Sequence, residues 1–345
     1  VKCRLIEEGL EPWGNTITTP NGTKSLPCDA GIRYKDGKWY RLIYDYVLSR
    51  PEDYLSIYQS SCNHKCLFCH SHYFSQHSIG TWMSAEDIVE IASIYLDMVT
   101  VKEPRERATM WHASDLCRHC GYCIEYEVRG RMCPGVLKPS QVVLSPQGYG
   151  PARNIVSFTG GDLYCRIEFY EETFKLMKHE FGDELWIHIE TNGYGLTQRN
   201  LTELVSAGLD SVWLDMKAYD SRIYRRLCGT SNETILTLPA RMKDLDLIFE
   251  VVLLYIPHWV ELDQLRMFAE LLVEVDPYIP TMLLAYFPEY RLNDPPPTLD
   301  NMIKAYKILK NSGLKRVKLG NIGVFCRSRE EIDRLVESVG LEAIS

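Results

Sequence analysis

From Tyr54 onward, short apolar runs alternate with amphipathic stretches, and this alternation narrows the fold more than any other feature of the chain. Strands buried on both faces read as unbroken apolar runs, as at Val251 to Leu254, and helices laid over them repeat their apolar residues every three or four positions. The pattern predicts strands at 54–58, 154–158, 185–189, 211–214, 248–255, 281–285 and 316–319. It predicts helices at 168–179, 199–207, 263–273 and 299–311, with Gly208 and Gly313 placed to end two of them. Ser84 with Asp87 three residues on marks the start of a further helix, whose apolar face carries Ile88, Ile91, Ala92, Tyr95 and Leu96. The expected fold is α/β, a partial (β/α) barrel whose chemical residues sit where the strands end.

Two segments break the rhythm. Residues 1–50 carry turn signals such as Pro20-Asn21-Gly22 and read as a cap or edge-strand extension. Residues 100–150 form an insert. The expected organisation is an N-terminal extension over 1–50, a barrel over 51–325 interrupted by the insert at 100–150, and a C-terminal tail over 326–345.

Directly after the first expected strand come Cys62, Cys66 and Cys69, spaced C-x3-C-x2-C. Three thiolates in one loop can hold three irons of a 4Fe-4S cube and leave the fourth open for a ligand. The competing reading is zinc, with His64 or His70 closing a four-ligand site. A second group, Cys117, Cys120 and Cys123 at C-x2-C-x2-C with Cys133 before Pro134, resembles a bacterial ferredoxin loop and supplies four ligands for one further 4Fe-4S cluster. Such a cluster would relay electrons, shape the substrate mouth, or staple an insert that has little core of its own. Arg118 and Arg131 beside it read as solvated charges. Trp111, His112 and His119 read as packing or surface residues.

Seven of the twelve cysteines fall in these two clusters, which is metal spacing and not a disulfide framework. The other five, Cys3, Cys28, Cys165, Cys228 and Cys326, have no ligand spacing; Cys165 and Cys326 are placed to face a cavity. With 46% hydrophobic residues, the chain can build a sizeable core. A net charge of -8 disfavours nucleic acid as a partner. The sequence shows no signal segment and no apolar run long enough to span a bilayer, so a cytoplasmic protein without membrane contact is expected.

Further motifs follow the later strands: Thr159-Gly160-Gly161-Asp162, Glu190-Thr191-Asn192-Gly193 and Leu214-Asp215-Met216-Lys217, then Gly229-Thr230-Ser231-Asn232. Together with the first cysteine loop, and with Phe68 before its last Cys, they resemble the radical S-adenosylmethionine (SAM) superfamily. Within it they resemble the activating enzymes of glycyl radical enzymes, such as pyruvate formate-lyase activating enzyme. The resemblance spans roughly residues 54 to 325. Cys28, Gly31, Tyr44 and the Gly320-Asn321 pair also have approximate counterparts in activase-like archaeal and bacterial proteins associated with the AMMECR and Memo families.

The resemblance implies that the open iron chelates SAM and that the reduced cluster cleaves it to methionine and a 5′-deoxyadenosyl radical, which abstracts hydrogen. It implies catalytic roles for Cys62, Cys66 and Cys69, and cofactor contacts for Phe68, Gly160, Gly161, Asp162, Glu190, Asn192, Asp215 and Lys217. Lys217 would meet the SAM carboxylate, Asp215 the ribose, and Asp162 the ammonium, although Asp162 is one methylene shorter than the usual Glu. The implied cofactors are two 4Fe-4S clusters and SAM. The implied partners are a reductant such as ferredoxin or flavodoxin and, as in glycyl radical enzyme activation, a protein substrate. A small molecule, peptide or nucleotide substrate is the alternative, and a non-catalytic iron-sulfur electron carrier is the second.

Overall fold

The apolar runs become strands in the structure, a computed structural model that describes residues 4–11 and 14–345. Ten strands form one sheet: β1 (Ile32–Lys35), β2 (Lys38–Leu48), β3 (Leu55–Gln59), β4 (Thr81–Met83), β5 (Ile155–Gly160), β6 (Trp186–Thr191), β7 (Ser211–Met216), β8 (Ile248–Tyr255), β9 (Thr281–Ala285) and β10 (Val317–Gly320). The spatial order is β10-β9-β8-β7-β6-β5-β3-β2-β1, with β4 on β2. From β3 to β10 every pairing is parallel, and β1, β2 and β4 join antiparallel. Among the described residues β10 does not pair with β1 or β2, so the barrel is partial, as expected. The first fifty residues supply its antiparallel edge.

The helices of eight or more residues are α1 (Ala85–Leu96), α2 (Glu168–Phe181), α3 (Gln198–Ala207), α4 (Ser221–Cys228), α5 (Glu233–Asp244), α6 (Leu262–Val275), α7 (Leu299–Asn311) and α8 (Arg329–Val339). Ser84 and Asp87 form a reciprocal capping box at α1, and Gly208 ends α3 at φ +113°, a left-handed conformation that glycine adopts without strain. The sequence periodicity predicts neither α4 nor α5. Pro239 lies inside α5, where a missing N–H reads as a helix breaker. The expected tail contains α8, capped by Ser328 and Glu331, and Ser345 N donates to Leu319 O at 2.9 Å beside β10. No described helix is long and apolar enough to cross a membrane.

Residues alternate between two cores. Leu214 and Met216 of β7 face outward and join Leu201, Leu204 and Leu238 in the core under the helices. The lumen side has its own cluster of Tyr54, Ala108, Met110, Trp111, Ile155, Trp186, Val252 and Met282. Three of these come from the insert, which runs as a belt beneath the starts of the strands in their spatial order. Trp186 Nε1 donates to Glu103 O (2.7 Å) and Ser211 Oγ to Ala108 O (2.5 Å). The backbone N–H groups of Met110 and Trp111 donate to Glu250 (3.0 and 2.6 Å). Lys318 Nζ donates to Trp111 O, Ser114 Oγ and Asp115 at 2.8 to 2.9 Å. His119 then meets Asp53, just before β3, at 3.0 Å. The belt plugs the barrel at the strands' N-terminal ends and leaves its C-terminal end as the place for a site.

Candidate active site

β3 delivers the first cysteine loop to that C-terminal end, and two close approaches help to fix the loop. A Cβ on Gly161 would stand 2.1 Å from Ser61 O, and one on Gly31 2.7 Å from the Arg41 guanidinium, so both glycines are required by proximity. Arg41 is fully buried: Nη1 donates to Ser60 O (2.5 Å) and Gly31 O (3.0 Å), Nη2 to Gly161 O (2.8 Å), and Nε to Tyr170 Oη (3.0 Å). It staples the end of β3 to the Gly-Gly turn. Sequence reasoning missed it, because a lone Arg in a strand carries no spacing signal. Further on, Lys65 N and Leu67 N donate to Cys228 O and Leu227 O, both at 2.8 Å, which seats the loop on the end of α4.

Cys62 and Cys66 are buried and Cys69 is half-buried. Sulfur meets polar groups on this loop: His64 N lies 3.4 Å and Asn192 Nδ2 3.9 Å from Cys62 Sγ, and Ser75 Oγ lies 3.3 Å from Cys69 Sγ. Burial pushes the Cys62 thiol up, and Cys228 and burial do the same to Cys66, while the Lys217 ammonium acts in the opposite sense on Cys66 and Cys69. Among the described residues no three ligand side chains converge as a single-ion site requires. A cube, in which each iron takes its own thiolate, does not need that convergence. Asn63 Nδ2 is a buried donor with no partner, next in sequence to Cys62, and such a donor suits an acceptor held by the cysteines. The donor set therefore fits a 4Fe-4S cluster. His64 does not fit as a zinc ligand: its ring nitrogens lie 2.8 Å from Asn63 Oδ1 and 2.9 Å from Tyr224 Oη and Thr230 Oγ1.

The turns after β5 and β6 reach the same loop. Gly160 has φ +87°, and a Cβ there would stand 2.7 Å from the Phe74 ring. Asp162 is buried and its carboxylate is already occupied, accepting from Thr191 Oγ1 (2.6 Å), Asn192 N (2.9 Å) and Tyr164 N (3.2 Å). Asn192 in turn donates to Asn63 Oδ1 at 2.9 Å. Asp162 thus braces the chain that leads to Cys62. After β7, Lys217 pairs with Asp215 and lies 5.5 Å from the centre of the Phe68 ring. Burial opposes the Lys217 charge, but Asp215 and the nearby thiols hold its pKa above the ordinary range. Glu190 faces the lumen below, accepting from Tyr54 Oη (3.1 Å), Ser157 Oγ (3.2 Å) and Thr159 Oγ1 (2.6 Å). Cys62, Cys66, Cys69, Phe68, Gly160, Gly161, Asp162, Asn192, Asp215 and Lys217 are therefore brought to one end of the barrel, and Glu190 just inside it.

The second cysteine group lies elsewhere. Cys117 sits near Asp53 and Arg50, before β3 begins, whereas Cys62 follows where β3 ends. A strand of that length at 3.3 Å per residue separates the two groups by on the order of 20 Å. The expectation that this group shapes the substrate mouth is corrected: the insert belongs to the closed end of the barrel. Arg118 is also not a solvated charge, since it donates to Ile344 O, while Arg131 does form an exposed pair with Asp333 at 2.8 Å. Cys165 and Cys326 lie in the main core and not on a cavity; Cys3 lies outside the described residues.

The profile of the radical SAM superfamily matches residues 117–272. The match takes in β5 to β8 and their turns, and begins after the Cys62 to Cys69 loop. Streptococcus suis SuiB bound to S-adenosylmethionine shares the fold at a TM-score of 0.53 and 14% identity, over 82% of this chain and 54% of that one. This chain thus spans about half the length of SuiB. A domain of pyruvate-formate lyase-activating enzyme from Bacteroides vulgatus aligns at 0.41 and 22% identity, covering 48% of this chain and 98% of that domain. The coproporphyrinogen III oxidase HemN of Escherichia coli aligns at 0.43 and 14% identity, over 75% and 52%. No curated protein sequence matches the chain.

Proposed function

Because the chain carries a radical SAM domain and is an enzyme of that kind, we propose that Cys62, Cys66 and Cys69 hold its catalytic cluster and that the rim around them binds SAM. The observation that supports this reading is the convergence of the turns after β3, β5, β6 and β7 on one loop. A 4Fe-4S cluster held there supplies the electron that splits SAM into methionine and a 5′-deoxyadenosyl radical, which takes a hydrogen atom from substrate.

The chain's own residues do the positioning. Lys217 offers an ammonium to the SAM carboxylate, oriented by Asp215 and lying near Phe68. Gly160 and Gly161 let the backbone approach the cofactor, and Asp162 acts on the site through Asn192 because its own oxygens are engaged. Asn192 Nδ2 and His64 N donate toward the Cys62 sulfur, which lowers the electron density on that thiolate. Cys117, Cys120, Cys123 and Cys133 hold a second 4Fe-4S cluster at the closed end, where an external reductant such as ferredoxin or flavodoxin docks from the cytoplasm. The electron-carrier reading is set aside, since the domain is that of enzymes. A protein substrate, as in glycyl radical enzyme activation, and a small-molecule substrate both fit an open C-terminal end. On this reading the barrel over 51–325 is the catalytic unit, and the insert over 100–150, the extension over 1–50 and the residues over 326–345 close it.

Anaerobically reconstituted protein, reduced with dithionite and given SAM, is expected to form methionine and 5′-deoxyadenosine, and Lys217→Ala is expected to weaken SAM binding with the iron content of the catalytic cluster retained. Iron-replete protein that yields no 5′-deoxyadenosine overturns the reading.

A further inference from the structure

The upper lumen of the barrel is open where its lower half is plugged. Along β7, Val212, Leu214 and Met216 are buried in the outer core, but Trp213 and Asp215 on the opposite face are only partly buried. The same holds for Leu254 in β8, Leu284 in β9, Tyr58 in β3 and Glu190 in β6, all inward positions of otherwise buried strands. Alternation along a strand places these side chains around one cavity, with apolar walls from Trp213, Leu254 and Leu284.

The polar groups of its floor are acceptors. Glu190 takes hydrogen bonds from three hydroxyls and has no cation paired with it among the described residues; burial raises its pKa, and the charge of another carboxylate, Glu52, adds to this. One layer below on the same face of β6 lies His188, fully buried. Its Nδ1 is 2.8 Å from Ser211 Oγ, and that hydroxyl spends its hydrogen on Ala108 O at 2.5 Å. The hydrogen between His188 and Ser211 therefore sits on Nδ1. Burial and Arg153 keep the ring neutral, so Nε2 is a bare lone pair, and it is left without a partner. Apolar walls over a floor that holds a carboxylate with no paired cation and one unpartnered acceptor, His188 Nε2, are complementary to a donor-rich head on a hydrocarbon stem.

We infer that the upper lumen is a substrate subsite for a cationic nitrogen carried on an apolar stem, with Trp213, Leu254 and Leu284 against the stem, Glu190 on the cation, and His188 Nε2 as a second acceptor reached directly or through one water. This rests on the placement of SAM at the rim above. The chemistry is shared by a free alkylamine and by a lysine side chain of a peptide or protein.

The test uses the full chain, reconstituted anaerobically and saturated with SAM, and calorimetric titration with n-pentylamine, with Nα-acetyl-lysine methylamide and with a short peptide centred on lysine. Each is paired with a neutral counterpart, 1-pentanol or the norleucine analogue. The cationic member of each binding pair is expected to bind about tenfold or more tighter, and Glu190→Gln to bring it to the level of the neutral one. Preference for the free amine assigns a small substrate, and preference for the peptide a protein one. Equal binding of charged and neutral partners, no binding by any of them, or full affinity in Glu190→Gln overturns the inference. The charged and neutral comparison in the wild type needs no variant to fold. Failure of the wild type to bind SAM in the first titration would instead count against the placement of the cofactor.

Discussion

Cys62 and Cys66 are buried where the strands end, whereas Cys120 is exposed and Cys117, Cys123 and Cys133 are half-buried where the strands begin. The first group is held by distant parts of the chain: Arg41 from the edge, Gly161 from the turn after β5, Asn192 from the turn after β6 and the end of α4. The second leans on its own turns, with Cys117 N donating to Ala113 O, Ile124 N to Gly121 O and Cys133 N to Gly130 O. The fold preorganises one group at the open end. The other lacks such support, and on the proposal above the cluster it holds would order it, as in small metal sites without a core.

The largest effect expected from that contrast is on chemistry. Cys66→Ala should reduce 5′-deoxyadenosine formation to background, while the triple change of Cys117, Cys120 and Cys123 to Ala should remove about half the iron and leave SAM binding, a difference read by iron analysis and product chromatography. Loss of SAM binding in the triple variant would show that the two ends are not independent. Arg41→Ala should cost about 3–5 kcal/mol in denaturant unfolding, since it leaves several buried carbonyl groups without a donor. Arg41→Lys should recover only part of this, because an ammonium cannot reproduce the planar fork.

At the closed end, Lys318→Ala should cost less, about 2 kcal/mol. Burial opposes the ionisation of Asp115, but His112 and Lys318 hold its carboxyl below the usual range, and His112 would remain. Faster proteolysis between Glu103 and Cys117 would show that Lys318 anchors the belt. The pH dependence tests the lumen. Burial, with Glu52 nearby, pushes Glu190 up to about 7. A carboxyl raised in the folded state binds its proton more tightly there, so its contribution to stability falls as pH rises from about 4.5 through about 7. Wild type should lose about 1–2 kcal/mol more than Glu190→Gln between pH 5 and pH 8 in urea unfolding. Equal slopes would show that Glu190 is solvated. The smallest effect is expected at Arg131→Ala, below about 0.5 kcal/mol in the same assay, because its pair with Asp333 is exposed.

Much of the barrel was legible because its signals are local. The runs 248–255, 281–285 and 299–311 match the observed strands and helix, and the Ser84 box and Gly208 mark helix ends through contacts within one turn. α4 and α5 were not legible, since their amphipathic faces are short and Pro239 argues against a helix that packing nonetheless stabilises. In the site, spacing marked the cysteines, and resemblance marked the Gly-Gly, Asn192 and Asp215 to Lys217 turns. Neither marked Arg41, whose partners, among them Ser60 O, Gly161 O and Tyr170 Oη, lie far from it in sequence.

The sequence by itself determined the two sets of thiols, their number and spacing, and the order of strands and helices, because these depend on neighbours along the chain. Only the tertiary structure decided that the sets lie at opposite ends of the sheet, that Asp162 is spent on Asn192, and that Glu190 lies inward with His188 buried one layer below it. Those facts follow from the parallel register, which sends every strand end to one rim, and from a belt of insert residues that fills the other. Neither is encoded within any one stretch of residues.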